Sequence, residues 1–353
     1  MAPTDHDGVV STCEKEFVKT AIEAGVRLDG RKPYDFRDIH IEFGLDDCSA
    51  EVSLGDTRAL AVVRGEIEQP FPDRQSEGSV QFFVDLTALA APAVDYSTTS
   101  ELTAQLVRTV ERSLKNSRAI DLESLCIVTG RRCWALRVDI RVLDHNGNLV
   151  DVCILSALAA LRCFRRPEVT LGGETGQEVV IHSTDVRESV PLSIHHLPIP
   201  TTLAVAHKGQ HLVVDPTLLE ENAMEGTVTV VCNVFREVCA MHAAGGVALT
   251  QDQVQECLEV ACVKAGEVTA LLKKAIEKHE AERVQMRVRR RGQGQDVDLE
   301  GAARPGPVGN APRVESMSED SGTTDDEAAK PSHPLHPPSK RKSAGKAGKR
   351  KKR

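Results

Sequence analysis

The stretch Trp134-Ala-Leu-Arg-Val-Asp-Ile-Arg-Val142, with the turn Asp144-His-Asn-Gly147 and the apolar run that follows, decides the fold. Apolar and polar residues alternate from Trp134 to Val142, which is the period of two of a half-buried strand. Small and apolar residues follow from Val150 to Phe164 at helical spacing, and Pro167 prevents the helix from continuing. The stretch therefore predicts a strand, a tight turn and an apolar helix.

The composition is that of a globular protein with a core of aliphatic residues. The chain has 353 residues, of which 41% are hydrophobic and only 3% aromatic. Stacking of bases on aromatic rings is therefore not expected to dominate any RNA binding. No apolar run approaches the roughly 18 residues of a transmembrane helix, and we expect no membrane partner.

The ten cysteines contain no Cys-x-x-Cys pair, and most of them lie in apolar segments. The chain also begins without an apolar signal segment. We interpret the cysteines as small core residues in a reducing compartment rather than as zinc ligands or disulfides. His195 and His196 have no third ligand nearby in the sequence, so we expect neither a metal site nor a cofactor.

The net charge of -8 conceals a difference between the body of the chain and its end. Residues 328–353 contain ten Lys or Arg residues and no acid, which leaves 34 basic and 52 acidic residues and a formal charge of -18 for residues 1–327. An acidic body argues against a broad nucleic-acid surface. Any binding there should come from a local basic patch.

Strands followed by a helix occur twice, which predicts a duplicated α+β unit. We predict an N-terminal helix and turn in residues 1–30, a first domain in 31–170 and a second domain with a C-terminal helix in 171–287. Residues 288–353 lack periodic apolar residues and are expected to be a disordered acidic-then-basic tail. Within the domains we predict strands at 39–43, 58–64, 80–86, 193–199, 201–206, 211–214, 227–231 and 237–241, and helices at 99–117 and 252–277.

Basic residues in the tail form a two-part cluster that is typical of a nuclear localisation signal. A general RNA-binding or solubilising tail is the alternative. The cluster consists of Lys340, Arg341, Lys342, Lys349, Arg350, Lys351, Lys352 and Arg353.

Short motifs along the chain share their order with a known family. They are Arg27-Leu-Asp-Gly-Arg31, Gly55-Asp-Thr-Arg58, Asn116-Ser-Arg118, Asp144-His-Asn-Gly147, Phe164-Arg-Arg-Pro167, Pro191-Leu-Ser-Ile-His-His196 and Asp215-Pro-Thr217. Through them the chain, from its first helix to about residue 275, resembles the RNase PH-like subunits of the eukaryotic exosome ring, and most closely a non-catalytic one. The resemblance implies an RNase PH-like α+β fold of two subdomains with mixed sheets packed against helices. It also implies six related subunits in a hexameric ring whose channel threads single-stranded RNA.

The resemblance also implies where a catalytic site would lie. Active members cleave RNA from its 3′ end with orthophosphate, which a hydroxyl residue and an arginine hold in the turn after the long strand. Leu149 and Val150 stand at these positions, and neither side chain can bind phosphate. Active members also place two aspartates six residues apart, where our alignment puts Leu219 and Glu225. We expect no catalytic residues, and we interpret the carboxylates of Glu220, Glu221 and Glu225 as a solvated acidic face.

A row of basic residues is the candidate RNA-binding site. Arg108, Arg112 and Lys115 recur at helical spacings of four and three, with Arg118 just beyond, so their charges can contact phosphates without reading sequence. Arg74 is a weaker candidate, since it resembles a loop residue that faces the channel. The alternative is that the row forms surface salt bridges with Glu101 or Glu111.

Together these features lead us to expect a non-catalytic structural subunit of the RNA exosome ring. It would support 3′-to-5′ RNA processing and degradation, including rRNA maturation and mRNA turnover, in the nucleus and nucleolus and also in the cytoplasm. The expected partners are other RNase PH-like ring subunits, RNA-binding cap subunits, associated nucleases and single-stranded RNA. Two alternatives stay open: an active phosphate-dependent 3′-to-5′ exoribonuclease, and an RNA-binding adaptor that acts through the basic tail.

Overall fold

The computed structural model describes residues 11–44, 46, 48–87, 90, 96–172, 178–183, 186–206, 209–244, 246 and 248–300. The helices are α1 (Thr12–Glu23), α2 (Tyr96–Glu111), α3 (Leu149–Cys163), α4 (Leu218–Ala223) and α5 (Gln251–Glu300). The strands are β1 (Ile39–Phe43), β2 (Ser49–Leu54), β3 (Thr57–Glu68), β4 (Ser79–Leu86), β5 (Cys126–Val128), β6 (Arg132–Asp144), β7 (Arg165–Arg166), β8 (Val169–Gly172), β9 (Glu178–Ile181), β10 (Val190–Pro191), β11 (Ile199–Ala206), β12 (His211–Val214), β13 (Gly226–Cys232) and β14 (Val238–Ala244).

The first sheet is built around β6, the long strand that the sequence predicts. The strand order is β1-β2-β3-β6-β4, and β5 pairs with one end of β6. All pairs are antiparallel except β4 with β6, which makes the sheet mixed. The alternating apolar side chains of β6 are buried: Trp134, Leu136, Val138, Ile140 and Val142.

The second sheet is antiparallel, with strand order β12-β11-β13-β14. Its strand β11 is buried along its whole length. Helix α3 contacts β2, β3 and β6 of the first sheet and β11 of the second. Twelve of its fifteen residues are buried, which is why the helix is apolar on nearly all sides. The predicted α+β class, with two sheets packed against helices, is confirmed.

Helix α1 lies within the N-terminal segment for which the sequence predicts a helix. The Glu14 backbone N–H donates to the Ser11 hydroxyl at 3.2 Å, and the Ser11 N–H donates to the Glu14 carboxylate at 2.8 Å, which completes a capping box. Val18 and Ile22 are buried against the second sheet, whereas Phe17 is 63% exposed.

Several elements differ from the sequence-based predictions. Strand β2 and the short helix α4 were not predicted. The segment 193–199 was predicted as a strand, but before β11 begins it forms only an isolated bridge between Ile194 and Ile120. Helix α5 continues to Glu300, although the tail was placed from residue 288 onward. Arg and Gln are good helix formers, which favours continuation of the helix in this segment.

The predicted nuclear localisation residues, Lys340–Lys342 and Lys349–Arg353, lie outside the described residues. None of the described helices is long and apolar enough to cross a membrane. The cysteines are all free thiols, and five of them are buried. Among the described side chains, no group of three or more His, Cys, Asp or Glu residues could hold a metal ion.

Candidate functional site

The turn between β6 and α3 has a backbone conformation that few residues adopt. Gly147 has a φ of 85°, and an added Cβ would lie 2.5 Å from the Leu218 nitrogen, so only glycine fits. Asn148 follows in the left-handed region, with a φ of 54°, as the N-cap of α3. Its Nδ2 donates to the carboxylates of Asp151 at 2.9 Å and Asp215 at 2.7 Å. The start of α3 is thereby tied to the segment after β12.

Leu149 and Val150, the first two residues of α3, occupy the positions that the resemblance aligns with the phosphate-binding hydroxyl and arginine. Both side chains are partly buried and pack against the main hydrophobic core. Neither carries a hydrogen-bond donor. The N–H of the preceding Asn148 is also engaged, because it donates to Glu221 Oε1 at 2.8 Å. No side chain at these two positions can therefore bind phosphate.

Asp215 is the centre of a buried charge cluster. Its Oδ2 accepts from Arg31 Nη1 and from the Arg37 N–H and Nε, each at 2.9 Å. Its Oδ1 accepts from Arg37 Nη2 at 2.8 Å and from Asn148. Burial would raise the pKa of Asp215, but the bonds and charge of Arg37, with the Asn148 amide, hold that pKa below its ordinary value. Both oxygens of this carboxylate are engaged within the protein.

A second buried ion pair lies beside Asp215. Arg27 donates from Nε to Glu220 Oε1 at 2.9 Å and from Nη2 to Oε2 at 2.6 Å. The same guanidinium also donates to the carbonyls of Val214 and Asp215, each at 2.8 Å. Arg27 is 2% exposed and Glu220 is 1% exposed. The pair satisfies both groups in a two-pronged geometry.

The prediction of a solvated acidic face is wrong for Glu220 and Glu221. Glu220 is placed inward because Thr217 and Glu220 form the capping box of α4, which points the glutamate back toward Arg27. Glu221 bonds the Asn148 N–H. Glu225, beyond the end of α4, is exposed as expected, and its backbone N–H donates to the Val205 carbonyl.

Two further carboxylates in the cluster have raised pKa values. Burial raises the pKa of Asp151 to about 6, although the Asn148 side chain and Thr202 donate hydrogen bonds to it. Thr202 bonds both oxygens of Asp151, through its N–H at 3.0 Å and its hydroxyl at 2.7 Å. Burial also raises the pKa of Glu221 to about 7, against the opposing effects of the Asn148 N–H and Arg37.

Leu219 and Glu225 stand at the positions that the resemblance aligns with the paired aspartates of active members. Leu219 is 40% exposed and has no carboxylate. The buried carboxylates nearby are engaged with Arg27, Arg31, Arg37 and the residues of the α3 start. The cluster joins the segment before β1, the start of α3 and the β12–α4 connection. It is suited to holding the two domains together.

Sequence reasoning identified the motifs of this cluster but missed the contacts between them. Arg27-Leu-Asp-Gly-Arg31 and Asp215-Pro-Thr217 were recognised as family markers without a physical role. The two arginines on either side of the turn, Arg27 and Arg31, could have indicated a buried acidic partner. Which acid it was could not be read from spacing, because Arg27 and Glu220 lie 193 residues apart.

The structure places the residues of the predicted RNA-binding row on different surfaces. Arg108 and Arg112 are both exposed and line a cavity of about 400 Å³ between α2 and the second sheet. Thr229 and His242 line the opposite side. No ion pair joins either arginine to Glu101 or Glu111 in the described residues, so the salt-bridge alternative is not supported.

Lys115 is not part of this groove. Its Nζ donates to the Val80 carbonyl at 3.2 Å. The cause is the π-helical turn at Arg112–Asn116, which changes the rotation per residue, so a spacing of three no longer keeps one face. Arg118 is exposed at the end of this turn, with a φ of 56°. Arg74 is exposed elsewhere and contacts Glu77 at 3.5 Å.

The two-sheet architecture agrees with the comparison to known proteins. Residues 35–167 match domain 1 of the 3′ exoribonuclease family (RNase PH), and residues 196–264 match its domain 2. The chain belongs to this family.

Its relatives are named as components of one complex. The chain is 41% identical over 277 residues to exosome complex component RRP45B of Arabidopsis thaliana, covering 78% of this chain and 63% of the relative. It is 43% identical over 268 residues to exosome complex component RRP45 of Homo sapiens, covering 76% and 60%. The chain thus spans about three-fifths of the length of these relatives. An Archaeoglobus fulgidus exosome structure with RNA bound to the active site aligns with a TM-score of 0.63 at 28% identity, over 73% of this chain and 97% of that chain.

Proposed function

We propose that this protein is a non-catalytic structural subunit of the RNA exosome ring. The observation that carries the proposal is the start of α3, where the partly buried Leu149 and Val150 pack against the core at the positions that the resemblance aligns with the phosphate-binding residues of active members. The fold of the family is kept while the side chains for binding orthophosphate are replaced. Such a chain assembles with its neighbours and guides RNA without cleaving it.

The names of the relatives support the partners that we propose for this subunit. Proteins about 40% identical over most of the chain are named exosome complex components. We therefore propose other RNase PH-like ring subunits, RNA-binding cap subunits, associated nucleases and single-stranded RNA as partners. The complex would serve 3′-to-5′ RNA processing and degradation, including rRNA maturation and mRNA turnover.

The groove between α2 and the second sheet is the proposed point of RNA contact in the body of the chain. Arg108 and Arg112 present guanidinium groups there without an internal acidic partner among the described residues, and a phosphate can accept from both. Lys115 is already engaged with a backbone carbonyl, so we assign it a smaller part than its spacing suggested.

A phosphorolysis assay tests the absence of catalysis. The purified chain is incubated with single-stranded RNA, orthophosphate and Mg²⁺, and release of nucleoside diphosphates is measured. We expect no release, and the same result for Glu225→Gln. Release that Glu225→Gln abolishes would show an active exoribonuclease and refute the proposal. Co-expression with RNase PH-like ring subunits and size-exclusion chromatography then test assembly, which must occur.

A second experiment tests the basic tail and the location in the nucleus, nucleolus and cytoplasm. Deleting residues 338–353 should move the protein toward the cytoplasm and leave ring assembly intact. If the deletion abolished RNA binding by the full chain and left its distribution unchanged, the tail would be an RNA-binding adaptor instead.

A further inference from the structure

A row of polar side chains connects the groove between α2 and the second sheet to the buried charge cluster. Thr202 on β11, Thr229 on β13 and His242 on β14 are cross-strand neighbours in register, so their side chains lie on the same face of the sheet. Thr229 and His242 line the groove, whereas Thr202 is buried and contacts Asp151 of α3. The row therefore runs from the interior of the protein to the groove.

Two contacts join the first three members of this row. The Thr202 hydroxyl oxygen lies 2.7 Å from Asp151 Oδ1 and 2.9 Å from the Thr229 hydroxyl oxygen. Asp151 Oδ2 accepts from the Thr202 N–H at 3.0 Å and from Asn148 Nδ2 at 2.9 Å. Either threonine hydroxyl can donate to the other, because each has one proton and two lone pairs. The protonation state of Asp151 therefore decides the direction of the hydrogen bonds.

The ionised form of Asp151 makes both hydroxyl groups donate inward. A carboxylate only accepts, so the Thr202 hydroxyl donates its proton to Asp151. Thr202 then has only lone pairs to offer, and the Thr229 hydroxyl donates to it. In this state the Thr229 oxygen presents lone pairs to the groove. A phosphate oxygen is also an acceptor, so it gains no hydrogen bond from Thr229.

The protonated form of Asp151 reverses these hydrogen bonds. Oδ2 already accepts from two donors, so the added proton is placed on Oδ1 and donates to the Thr202 oxygen. Thr202 then donates to the Thr229 oxygen, and the Thr229 proton is left to donate into the groove. Burial raises the pKa of Asp151 to about 6, so this form predominates in mildly acidic solution.

Charged groups from three other elements face Asp151. They are the carboxylates of Asp215 after β12 and of Glu221 on α4, and the guanidinium group of Arg37 before β1. The two carboxylates oppose ionisation of Asp151, and the arginine favours it.

The groove contributes its own charged groups, Arg108 and Arg112 on α2 and His242 on β14. The two arginines stay charged at every working pH. A histidine can also gain a proton in mildly acidic solution. A test of pH dependence must therefore separate His242 from Asp151.

We propose that the Thr229 hydroxyl binds a phosphate of RNA held by Arg108 and Arg112, and that protonated Asp151 is the positioning residue that turns this hydroxyl toward the groove. The hydrogen-bond chain through Thr202 carries this assignment. The inference rests on the proposed function for the presence of RNA in the groove, and it adds control of that contact by pH. By linkage, bound RNA in turn favours proton uptake by Asp151.

The test measures the affinity of the full chain for a fluorescent, unstructured single-stranded RNA by anisotropy at about pH 8 and about pH 5. A hydrogen bond to a charged group strengthens binding by roughly tenfold or more. The affinity should therefore rise about tenfold through this contact as the pH falls. Thr229→Val removes the hydroxyl and should abolish this gain, whereas Thr229→Ser keeps a hydroxyl and should retain it.

Thr201→Val is the matched control for the valine variant. Thr201 is the buried neighbour of Thr202 on β11, and its hydroxyl oxygen has no hydrogen-bond partner among the described residues. Protonation of other groups raises affinity in both valine variants, so the gain should be about tenfold smaller in Thr229→Val than in Thr201→Val. Equal gains would overturn the proposal. So would loss of the gain in His242→Gln, which would assign the pH dependence to the histidine.

Asp151→Asn provides an independent test because its amide nitrogen can donate to the Thr202 hydroxyl, as the protonated acid does. At about pH 8 this variant should bind RNA about tenfold more tightly than the unmodified chain, and at about pH 5 the two should bind alike. Weaker or unchanged binding at the higher pH would contradict the proposal. Circular dichroism at both pH values should show the same secondary structure in all variants.

These outcomes are distinct from those of the proposed function. If RNA binding depends on Arg108 and Arg112 but not on the Thr229 hydroxyl, the hydrogen-bond chain has no role in binding and the groove stands. If the unmodified chain binds no RNA at either pH, the groove and this inference are both wrong, whereas co-expression with ring subunits decides the structural role.

Discussion

Two groups of arginines in this chain are used in opposite ways. Arg27, Arg31 and Arg37 bond buried carboxylates between the two domains, whereas Arg108 and Arg112 face a groove without an acidic partner in the part of the chain described. A guanidinium removed from water must be paired, because an unpaired buried charge costs several kcal/mol. An exposed one keeps its water and can exchange it for phosphate. The first group therefore maintains the fold, and the second is available to a ligand.

Removing the centre of the buried cluster should have the largest effect. Asp215→Ala leaves Arg31, Arg37 and the Asn148 amide without their shared acceptor, and we expect it to lower the free energy of unfolding by about 3–5 kcal/mol. Urea unfolding followed by circular dichroism measures this loss.

Asp144→Asn is the matched control for that change. Asp144 is also paired with an arginine, Arg58, at 3.3 Å, but its side chain is 58% exposed. Its loss should cost no more than about 1 kcal/mol. Equal losses of unfolding free energy at the two sites would mean that the buried Asp215 cluster stabilises the fold no more than an exposed ion pair does.

The Arg27–Glu220 pair should show strong coupling rather than strong net stabilisation. Each single change, Arg27→Met or Glu220→Leu, leaves one buried charge unpaired and should cost about 3 kcal/mol or more. The double variant leaves no charge behind, so its cost should fall short of the sum by up to about 3 kcal/mol. Additive costs in the unfolding measurements would contradict a direct pair.

The pH dependence of stability should come from Asp151 and Glu221. Their pKa values rise from ordinary values of 3.8 and 4.5 to about 6 and about 7 in the folded protein. The folded state thus binds more protons than the unfolded state in this range, and stability falls as pH rises through 6 and 7. Asp215 has a lowered pKa, so its contribution is lost only in acid below 3.8. The expected slope is at most about 1.4 kcal/mol per pH unit for each group.

Asp151→Asn tests this origin because asparagine mimics the protonated acid. Its amide oxygen can accept from Asn148 and from the Thr202 N–H. Its Nδ2 can donate to the Thr202 hydroxyl, which can donate in turn to Thr229 at 2.9 Å. The variant should lose the part of the decline in stability that lies between pH 3.8 and about 6. An unchanged slope in urea unfolding across these pH values would assign the decline to other groups.

The cluster and the groove also differ in how far the sequence predicts them. The strand, turn and helix from Trp134 to Leu161 follow from local periodicity, whereas the assignment of Leu149 and Val150 to the phosphate-binding positions comes from the resemblance to the family. The contacts of Arg27 with Glu220 do not follow from periodicity, because they depend on chain closure over almost two hundred residues. Lys115 was misplaced for a local reason, since a single π-helical turn is not visible in residue spacing.

Substitutions in the groove should have the smallest effect on stability, and they should weaken RNA binding. Arg108→Gln/Arg112→Gln alters two exposed side chains without an ion pair among the described residues, so the free energy of unfolding should change by less than about 0.5 kcal/mol. RNA affinity should fall, and the slope of log affinity against log salt should decrease by about 1.4, or 0.7 for each lost phosphate contact on a single strand. Lys115→Gln serves as the comparison, because its ammonium group bonds the Val80 carbonyl. It should leave the salt slope nearly unchanged and cost some stability. A larger change in slope for Lys115→Gln than for the arginine pair would contradict the assignment of RNA binding to Arg108 and Arg112. It would indicate that Lys115 contacts RNA.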